Sequence, residues 1–173
     1  SYLFVAALPP IMREAGVSRT SIGYMSILLL PLVVKFAWAP WVDRIRPFAR
    51  AHRAGWVFLT QSGTILCILA LIAVGPLDVT KIIAIGFTAS LLISTQDIAT
   101  DGYAAKYLPE SDRAVGNAIQ GGSVAFGVVI GGTLGLVLYH HIGWTGMLVT
   151  IAAVSLLPLG AAASLDTGRR SLV

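Results

Sequence analysis

A row of polar side chains crosses one long apolar stretch of the sequence at helical spacing. Its members are Ser90, Ser94, Asp97 and Asp101, at positions i, i+4, i+7 and i+11, so they share one face of a helix. Gln96 widens the row. Two carboxylates one turn apart repel each other when both are ionised, and burial favours the neutral form. We therefore expect Asp97 and Asp101 to lie on a proton or substrate pathway. The alternative is that partners neutralise both, and the row only holds helices together.

Lys35 is the candidate partner of these carboxylates. It lies in an earlier apolar stretch, about 12 Å along a helix from Asp43 at 1.5 Å per residue. By the same arithmetic, Asp97 lies about 13 Å and Asp101 about 8 Å from the end of their helix at Lys106. A pair between Lys35 and Asp97 across two helices would offset much of the cost of removing both charges from water. The alternative is a lysine that extends its ammonium to the membrane surface.

The composition places these residues in a membrane protein. Of the 173 residues, 56% are apolar and 12% are charged, and the charged share is about half of the roughly 25% usual in soluble domains. The net charge of +4 comes from basic residues between apolar runs, a pattern that sets membrane orientation rather than nucleic-acid binding. The single cysteine excludes a disulfide framework. Since no catalytic, zinc or redox motif is present, we expect no enzyme, cofactor or metal site.

Five stretches reach the roughly 20 apolar residues that a membrane-spanning helix needs. They cover about residues 21–42, 54–75, 82–104, 115–139 and 146–165. The apolar run at 1–12 is too short to span and lacks the features of a signal peptide. We expect it to be the end of a truncated first span, so that residues 1–173 form one six-helix transmembrane domain.

Basic residues predict which side of the membrane each connection faces. Eight of them follow the second, fourth and sixth spans, and three follow the first and third. The positive-inside rule then places both chain ends in the cytoplasm. Asp43 and Arg44 directly follow the second span, where charges can pair with helix ends and hold one conformation. We expect these two residues and Arg113 to form a cytoplasmic gate.

The fifth span carries a small residue at every fourth position. These residues are Ser123, Gly127, Gly131 and Gly135. Because small side chains at this spacing let two helices approach closely, the three glycines are expected to serve helix packing. Asn117 and Gln120 lie at the start of the same span and are expected to line a polar cavity.

A short internal repeat supports a transporter architecture. Residues 8–16 (LPPIMREAG) and 108–116 (LPESDRAVG) share the pattern L-P-x-x-x-R-x-x-G. Three spans separate the two copies, so they lie on opposite sides of the membrane. Inverted repeats of three helices produce this relation in transporters.

Two strings carry a family resemblance: TQDIATDGYAAKYLPESDRAVGNAIQ (95–120) and LPLVVKFAWAPWVDR (31–45). They resemble the branch of the major facilitator superfamily that holds AmpG-like muropeptide permeases and the acetyl-coenzyme A transporter. The form Q-D-I-A-T-D-G, followed by G-N-x-I-Q, most resembles single-permease importers of ferric siderophores such as rhizobactin and pyochelin.

The resemblance covers essentially the whole chain but only the first half of a usual family member. It implies an all-α, six-helix half built as a 3+3 inverted repeat, with the substrate cavity between it and a carboxy-terminal half or a second copy. In such proteins spans 1 and 4 line the cavity, which places Gln96, Asp97 and Asp101 near it, and protons drive movement. The loop after Arg44 lacks the usual glycine, and the fifth span lacks the proline of the antiporter-type motif. Antiport is therefore not indicated.

Together with the resemblance, the sequence thus predicts a proton-driven importer of a ferric siderophore in a bacterial inner membrane. Its expected partners are a small-molecule substrate, membrane lipid and a second six-helix half, with no nucleic acid. The first alternative is a muropeptide permease of the same fold, followed by a transporter of acetyl-coenzyme A or drugs. Outside transport, the alternatives are a membrane scaffold and an integral-membrane enzyme.

Overall fold

The computed structural model describes residues 3–45, 47, 52–107 and 109–160, and every regular element within these ranges is a helix. The predicted all-α class is therefore confirmed. The described helices, in chain order, are α1 (Leu3–Ala7 continued by Leu8–Glu14), α2 (Arg19–Gly23, Tyr24–Leu29, Leu30–Val34, Lys35–Ala37 and Ala39–Arg44), α3 (His52–Val74), α4 (Val79–Tyr107), a short 3-10 turn (Glu110–Asp112), α5 (Arg113–Val128, Val129–Leu134 and the part of Gly135–Val154 before Gly143) and α6 (the part of Gly135–Val154 after Gly143).

Helix α1 forms the buried centre of the described bundle. Its inward side chains are at most 4% exposed, and they are Leu3, Phe4, Ala7, Leu8, Ile11 and Met12. Buried side chains of α2, α3, α4 and α6 pack around them, namely Met25, Leu28, Ile68, Leu71, Ile82, Ala89, Met147, Leu148 and Ala152. A Cβ added at Gly86 would lie 3.1 Å from side-chain atoms of both Phe4 and Leu28. Helices α1, α2 and α4 therefore meet closely at a position that has no side chain.

Helix α2 alternates between α-helical and 3-10 geometry. Two 3-10 segments, Tyr24–Leu29 and Lys35–Ala37, each lie just before a proline, Pro31 and Pro40 respectively. A proline lacks the backbone N–H, and its ring clashes with the carbonyl four residues earlier. That carbonyl belongs to a residue of the 3-10 segment in both cases, so the tighter winding relieves a conflict that the prolines impose.

The start of α4 is fixed by Asp78. Its Oδ1 accepts a hydrogen bond from the backbone N–H of Lys81 at 3.2 Å, and the Lys81 ammonium lies 2.7 Å from Oδ2. These hydrogen bonds to Lys81 lower the pKa of the Asp78 carboxyl. Asp78 and Lys81 form an exposed ion pair at a helix end, outside the apolar centre of α4.

Four helical stretches among the described residues are long and apolar enough to cross a membrane. They are Arg19–Ala37, Gly55–Val74, Val79–Gly102 and Ala114–Gly160. Many large apolar side chains, such as Val33, Phe36 and Leu66, point outward and are exposed, as a lipid-facing surface requires. The division into six spans stays a prediction, since the last predicted span, 146–165, extends into 161–173, outside the described residues.

The stretch Ala114–Gly160 folds back on itself at Gly143. This glycine has φ 71° and ψ −175°, which interrupts the helix. A Cβ added at Gly135 would lie 3.9 Å from Cδ1 of Ile151, and both residues are eight positions from Gly143. In one straight helix, residues 16 apart would be separated by about 24 Å. Helices α5 and α6 are therefore antiparallel arms of a hairpin.

The substitution Gly143→Ala is expected to destabilise the protein. A side chain at positive φ costs about 1–2 kcal/mol, and the hairpin offers no other glycine at the turn. Gly23→Ala is the matched control, because Gly23 has helical φ −57° and open space where a Cβ would lie. Thermal unfolding of the full-length protein in detergent measures both variants. If Gly143→Ala and wild type have the same midpoint of thermal unfolding, the turn does not require a glycine at this position.

Candidate functional site

The ammonium of Lys35 lies between two carboxylates of α4. Its Nζ is 3.4 Å from Oδ2 of Asp101 and 4.0 Å from Oδ2 of Asp97. The side chains are partly exposed, 34% for Lys35, 45% for Asp97 and 41% for Asp101. The sequence paired Lys35 with Asp97, whereas the structure places Asp101 closer. The three residues form one cluster, here called the lysine–aspartate cluster.

The packing of α2 along α4 does not by itself bring Lys35 level with its partners. Leu28 contacts the position of Gly86, Trp38 binds Thr95, and Val42 packs with Ile98. Residues that face each other on the two helices therefore differ by 56–58 in residue number. Asp97 and Asp101 follow Lys35 by 62 and 66 positions. The Lys35 side chain therefore extends along α4, toward the end of α2 at Arg44, to reach the carboxylates.

The register between α2 and α4 is fixed by a hydrogen bond that the sequence did not predict. The indole Nε1 of Trp38 donates to Oγ1 of Thr95 at 3.2 Å, and the Thr95 hydroxyl donates to the carbonyl of Leu91 at 2.7 Å. Sequence reasoning assigned Trp38 only to the interfacial aromatic belt. The available signal was its position three residues after Lys35, on the same side of the turn.

Helix α3 contacts α4 at Gln96, next to the lysine–aspartate cluster. The hydroxyl of Thr60, which is buried, donates to the carbonyl of Trp56 at 2.7 Å and lies 3.3 Å from Oε1 of Gln96. Gln61 is also buried, and its Nε2 donates to the carbonyl of Ser155 at 2.6 Å. A hydrogen bond thus joins Gln96, one residue before Asp97, to α3. A second hydrogen bond joins α3 to the residue that follows α6.

The polar row of α4 divides into a buried part and an open part. Ser90 and Ser94 are 1% and 0% exposed, and the Ser94 hydroxyl donates to the carbonyl of Leu91. Asp97 and Asp101, further along the same face, are half-buried. The row therefore leads from the packed interior to the lysine–aspartate cluster at an accessible surface.

Two of the three predicted gate residues lie at the end of α2. Asp43 and Arg44 are exposed, and Asp43 has an interaction partner. The indole Nε1 of Trp56 lies 3.1 Å from the carbonyl of Val42 and 3.0 Å from that of Ile45, and donates to them. This contact satisfies carbonyls at the end of the helix. The side chain of Arg113, the third predicted gate residue, lies outside the described part of the structure.

The remaining predicted site residues are distributed along α5. Gly135 is buried, and a Cβ there would lie 3.1 Å from Cβ of Ala7 in α1. Gly127 and Gly131 are half-buried. The side chains of Asn117 and Gln120 lie outside the described part of the structure, so their predicted place at a cavity stays a prediction. Within the described ranges, no three His, Cys, Asp or Glu side chains lie close enough together to hold a metal ion.

The lysine–aspartate cluster holds two carboxylates and one ammonium. With every group ionised, one ammonium faces two carboxylates and the net charge is −1. One bound proton makes the cluster neutral. Among these three side chains, a single proton therefore decides whether the cluster is neutral or carries one negative charge.

Comparison with known proteins gives one family. The profile of the Major Facilitator Superfamily matches residues 1–168. The anhydromuropeptide permease of Escherichia coli K12 is 31% identical over 148 residues, which are 83% of this chain and 30% of that protein. An uncharacterized protein of Haemophilus influenzae is 29% identical over 145 residues, 82% of this chain and 34% of that protein.

A third match covers less of the chain. The putative transporter AmpG 3 of Rickettsia typhi is 31% identical over 108 residues, 58% of this chain and 25% of that protein. The chain spans about a third of the length of the curated relatives it matches. No solved structure matches it significantly.

Proposed function

The chain belongs to the major facilitator superfamily, and from this we propose that it is the amino-terminal half of a proton-driven permease that imports an anhydromuropeptide. The proposed substrate rests on the 31% identity to the anhydromuropeptide permease of Escherichia coli over 83% of this chain. The family and the permease-named relatives indicate a transporter rather than an enzyme. The chain forms a multi-pass membrane protein.

The lysine–aspartate cluster supports proton coupling. Ionisable groups inside membrane helices are costly, and they persist where they bind ions, protons or one another. Here Asp97 and Asp101 share one ammonium, so a proton can be taken up without leaving a buried net charge. We assign proton binding to Asp97 and Asp101, with Lys35 as their counter-ion and Gln96 beside them on the substrate pathway.

The proposal includes an orientation of the chain in the membrane and a gate on its cytoplasmic side. Both chain ends lie in the cytoplasm of a bacterial cell, because the segments with eight basic residues face inward. Asp43, Arg44 and Arg113 then lie at the cytoplasmic mouth, where their contacts hold one conformation closed. Asn117 and Gln120 line the cavity at that mouth, and Gly127, Gly131 and Gly135 let α5 pack closely against neighbouring helices.

Import of a ferric siderophore remains the rival substrate. The sequence placed it first because of the string QDIATDG at 96–102. The comparisons favour the muropeptide alternative instead, since two of the named relatives are an anhydromuropeptide permease and a putative AmpG transporter. Both substrates are small molecules carried by the same fold, so uptake must decide between them.

Uptake by cells tests the substrate. The full-length gene is deleted and restored, and entry of labelled anhydromuropeptide is compared with entry of radio-iron as ferric siderophore under iron limitation. We expect muropeptide entry to fall on deletion and return with the wild-type gene, while iron entry stays unchanged. Loss of iron entry alone would contradict muropeptide import and support import of a ferric siderophore. No change in either would contradict both and favour a membrane scaffold.

A further inference from the structure

The first part of α5 makes few contacts with the rest of the described bundle. Arg113–Val128 has few neighbours outside its own continuation, and its apolar side chains Ile119 and Phe126 are 65% and 70% exposed. The next segment, Val129–Leu134, contacts Leu3–Ala7 of α1. The attachment of α5 to α1 therefore begins in the second half of α5.

The contact between α1 and α5 has no interlocking side chains. A Cβ added at Gly132 would lie 3.0 Å from Cβ of Ala6, and one added at Gly135 would lie 3.1 Å from Cβ of Ala7. Both helices are wound as π-helix at this contact, a rare geometry that is frequent at functional sites. Because only small groups meet here, α5 can move relative to α1 at little steric cost.

One charged contact lies at the end of this interface. The Nε2 of His140 is 3.5 Å from Oε1 of Glu14, and the two side chains are 59% and 49% exposed. These two residues differ by 126 in number, as do Gly132 and Ala6. The parallel register of the two helices therefore brings His140 and Glu14 together.

Other charged groups at this end of the bundle have separate contacts or directions. The titratable or charged neighbours by position at the helix ends are Arg13, Arg19, Tyr24, Asp78, Lys81, Tyr139 and His141. Lys81 pairs with Asp78 at 2.7 Å, and Arg13 donates to the carbonyl of the residue four positions later. His141 is exposed, and adjacent residues of a helix point in different directions.

We infer that His140 and Glu14 form a pH-sensitive latch that holds the end of α5 against α1. Histidine is the side chain whose charge ordinarily changes between pH 5 and pH 8, whereas a glutamate is ordinarily ionised in this range. A proton on His140 turns the contact into an ion pair. The latch is therefore closed at low pH and weakens as the pH rises.

The latch lies at the end of the bundle opposite the lysine–aspartate cluster. Helix α2 begins at Arg19, five residues after Glu14, and Lys35 is nearer the other end of that helix. In the proposed orientation the latch faces the outside of the membrane, so it responds to the external pH. The latch itself does not depend on the proposed substrate or on proton coupling.

Distances between two spin labels test the inference. The labels are attached at Pro10→Cys and Val137→Cys in full-length protein that lacks its other cysteines. Both positions are exposed, and they differ by 127 in number, within the register of the α1–α5 contact. We expect the ratio of longer to shorter distances to rise about two- to fivefold from pH 5 to pH 8, because exposed ion pairs are weak.

Three variants and a matched control separate the roles. His140→Gln and Glu14→Gln are expected to show the wild-type pH 8 ratio at both pH values, since neither can form the ion pair. His140→Lys is expected to keep the pH 5 ratio at both, because its ammonium stays charged. His141→Gln, the control, should retain the wild-type shift. Elution as a single species from size exclusion verifies that each variant is folded.

Two results would overturn the latch. The first is a wild-type ratio that is the same at pH 5 and pH 8. The second is a shift that persists in His140→Gln. Because the distances are measured without substrate, either result would leave the proposed import to be decided by uptake.

Discussion

Replacing Lys35 by alanine is expected to destabilise the full-length protein, and neutralising an aspartate beside it is expected to restore part of the loss. Without the ammonium, two carboxylates one turn apart repel each other and lose the cation that lies within 4.0 Å of both. Removing one partner of a fully buried pair costs about 3–5 kcal/mol. Partial exposure of this cluster reduces the cost to about 1–3 kcal/mol, between the buried and the surface values.

The distances rank the two rescuing substitutions. Asp101 is 3.4 Å and Asp97 is 4.0 Å from the ammonium. Lys35→Ala with Asp101→Asn should therefore recover more stability than Lys35→Ala with Asp97→Asn. Thermal unfolding of the purified protein is the appropriate measurement, because uptake also depends on any contact that Lys35 makes with substrate. Lys81→Ala, which breaks the exposed pair with Asp78, is the control and should change little.

The cluster is not an ion pair that stabilises the fold if both double variants are as unstable as Lys35→Ala alone. In that case Lys35 is held mainly by the apolar contacts of its stem, and the two carboxylates are solvated independently of it.

Asp97→Asn is expected to abolish accumulation of substrate against a gradient while exchange of substrate across the membrane continues. An amide cannot take up and release a proton, so the movement of substrate loses its coupling to the proton gradient. The proposed permease then only equalises the concentrations of substrate on the two sides of the membrane. Counterflow of labelled against unlabelled anhydromuropeptide in vesicles measures exchange, and net uptake under a pH gradient measures accumulation.

Asp78→Asn is the matched control for this loss. Asp78 is also an aspartate paired with a lysine of α4, but it lies just before the start of the helix, and its pair with Lys81 is exposed. It should retain both accumulation and exchange. If Asp97→Asn accumulates substrate like wild type, Asp97 is not the coupling site, and the same comparison with Asp101→Asn then decides whether the neighbouring carboxylate serves instead.

The elements that sequence reasoning predicted well are those set by local pattern. Apolar length and sparse charge indicated an all-α membrane protein, and the two motif strings indicated the family that the profile match supports. The reversal of the chain at Gly143 lies in the gap between the predicted spans 115–139 and 146–165. That position is favoured locally, because a glycine permits positive φ without strain.

The contacts that could not be predicted depend on how α2 is rotated against α4. Each 3-10 segment of α2 changes the angle per residue, so a regular helical wheel does not predict which residues of α2 face Thr95 in α4. The Trp38–Thr95 hydrogen bond follows from that rotation. The burial of Ser94 beside the exposure of Asp97 depends on neighbouring helices, which spacing along one helix does not reveal.

Proton movement during substrate entry tests the central claim most directly. The full-length protein is reconstituted into liposomes, and anhydromuropeptide is added outside them without an imposed proton gradient. The external pH is followed with an electrode. The account predicts that wild type draws protons inward with the substrate and makes the outside more alkaline, whereas Asp97→Asn admits substrate with no pH change. Substrate entry through wild type without any proton movement would contradict it.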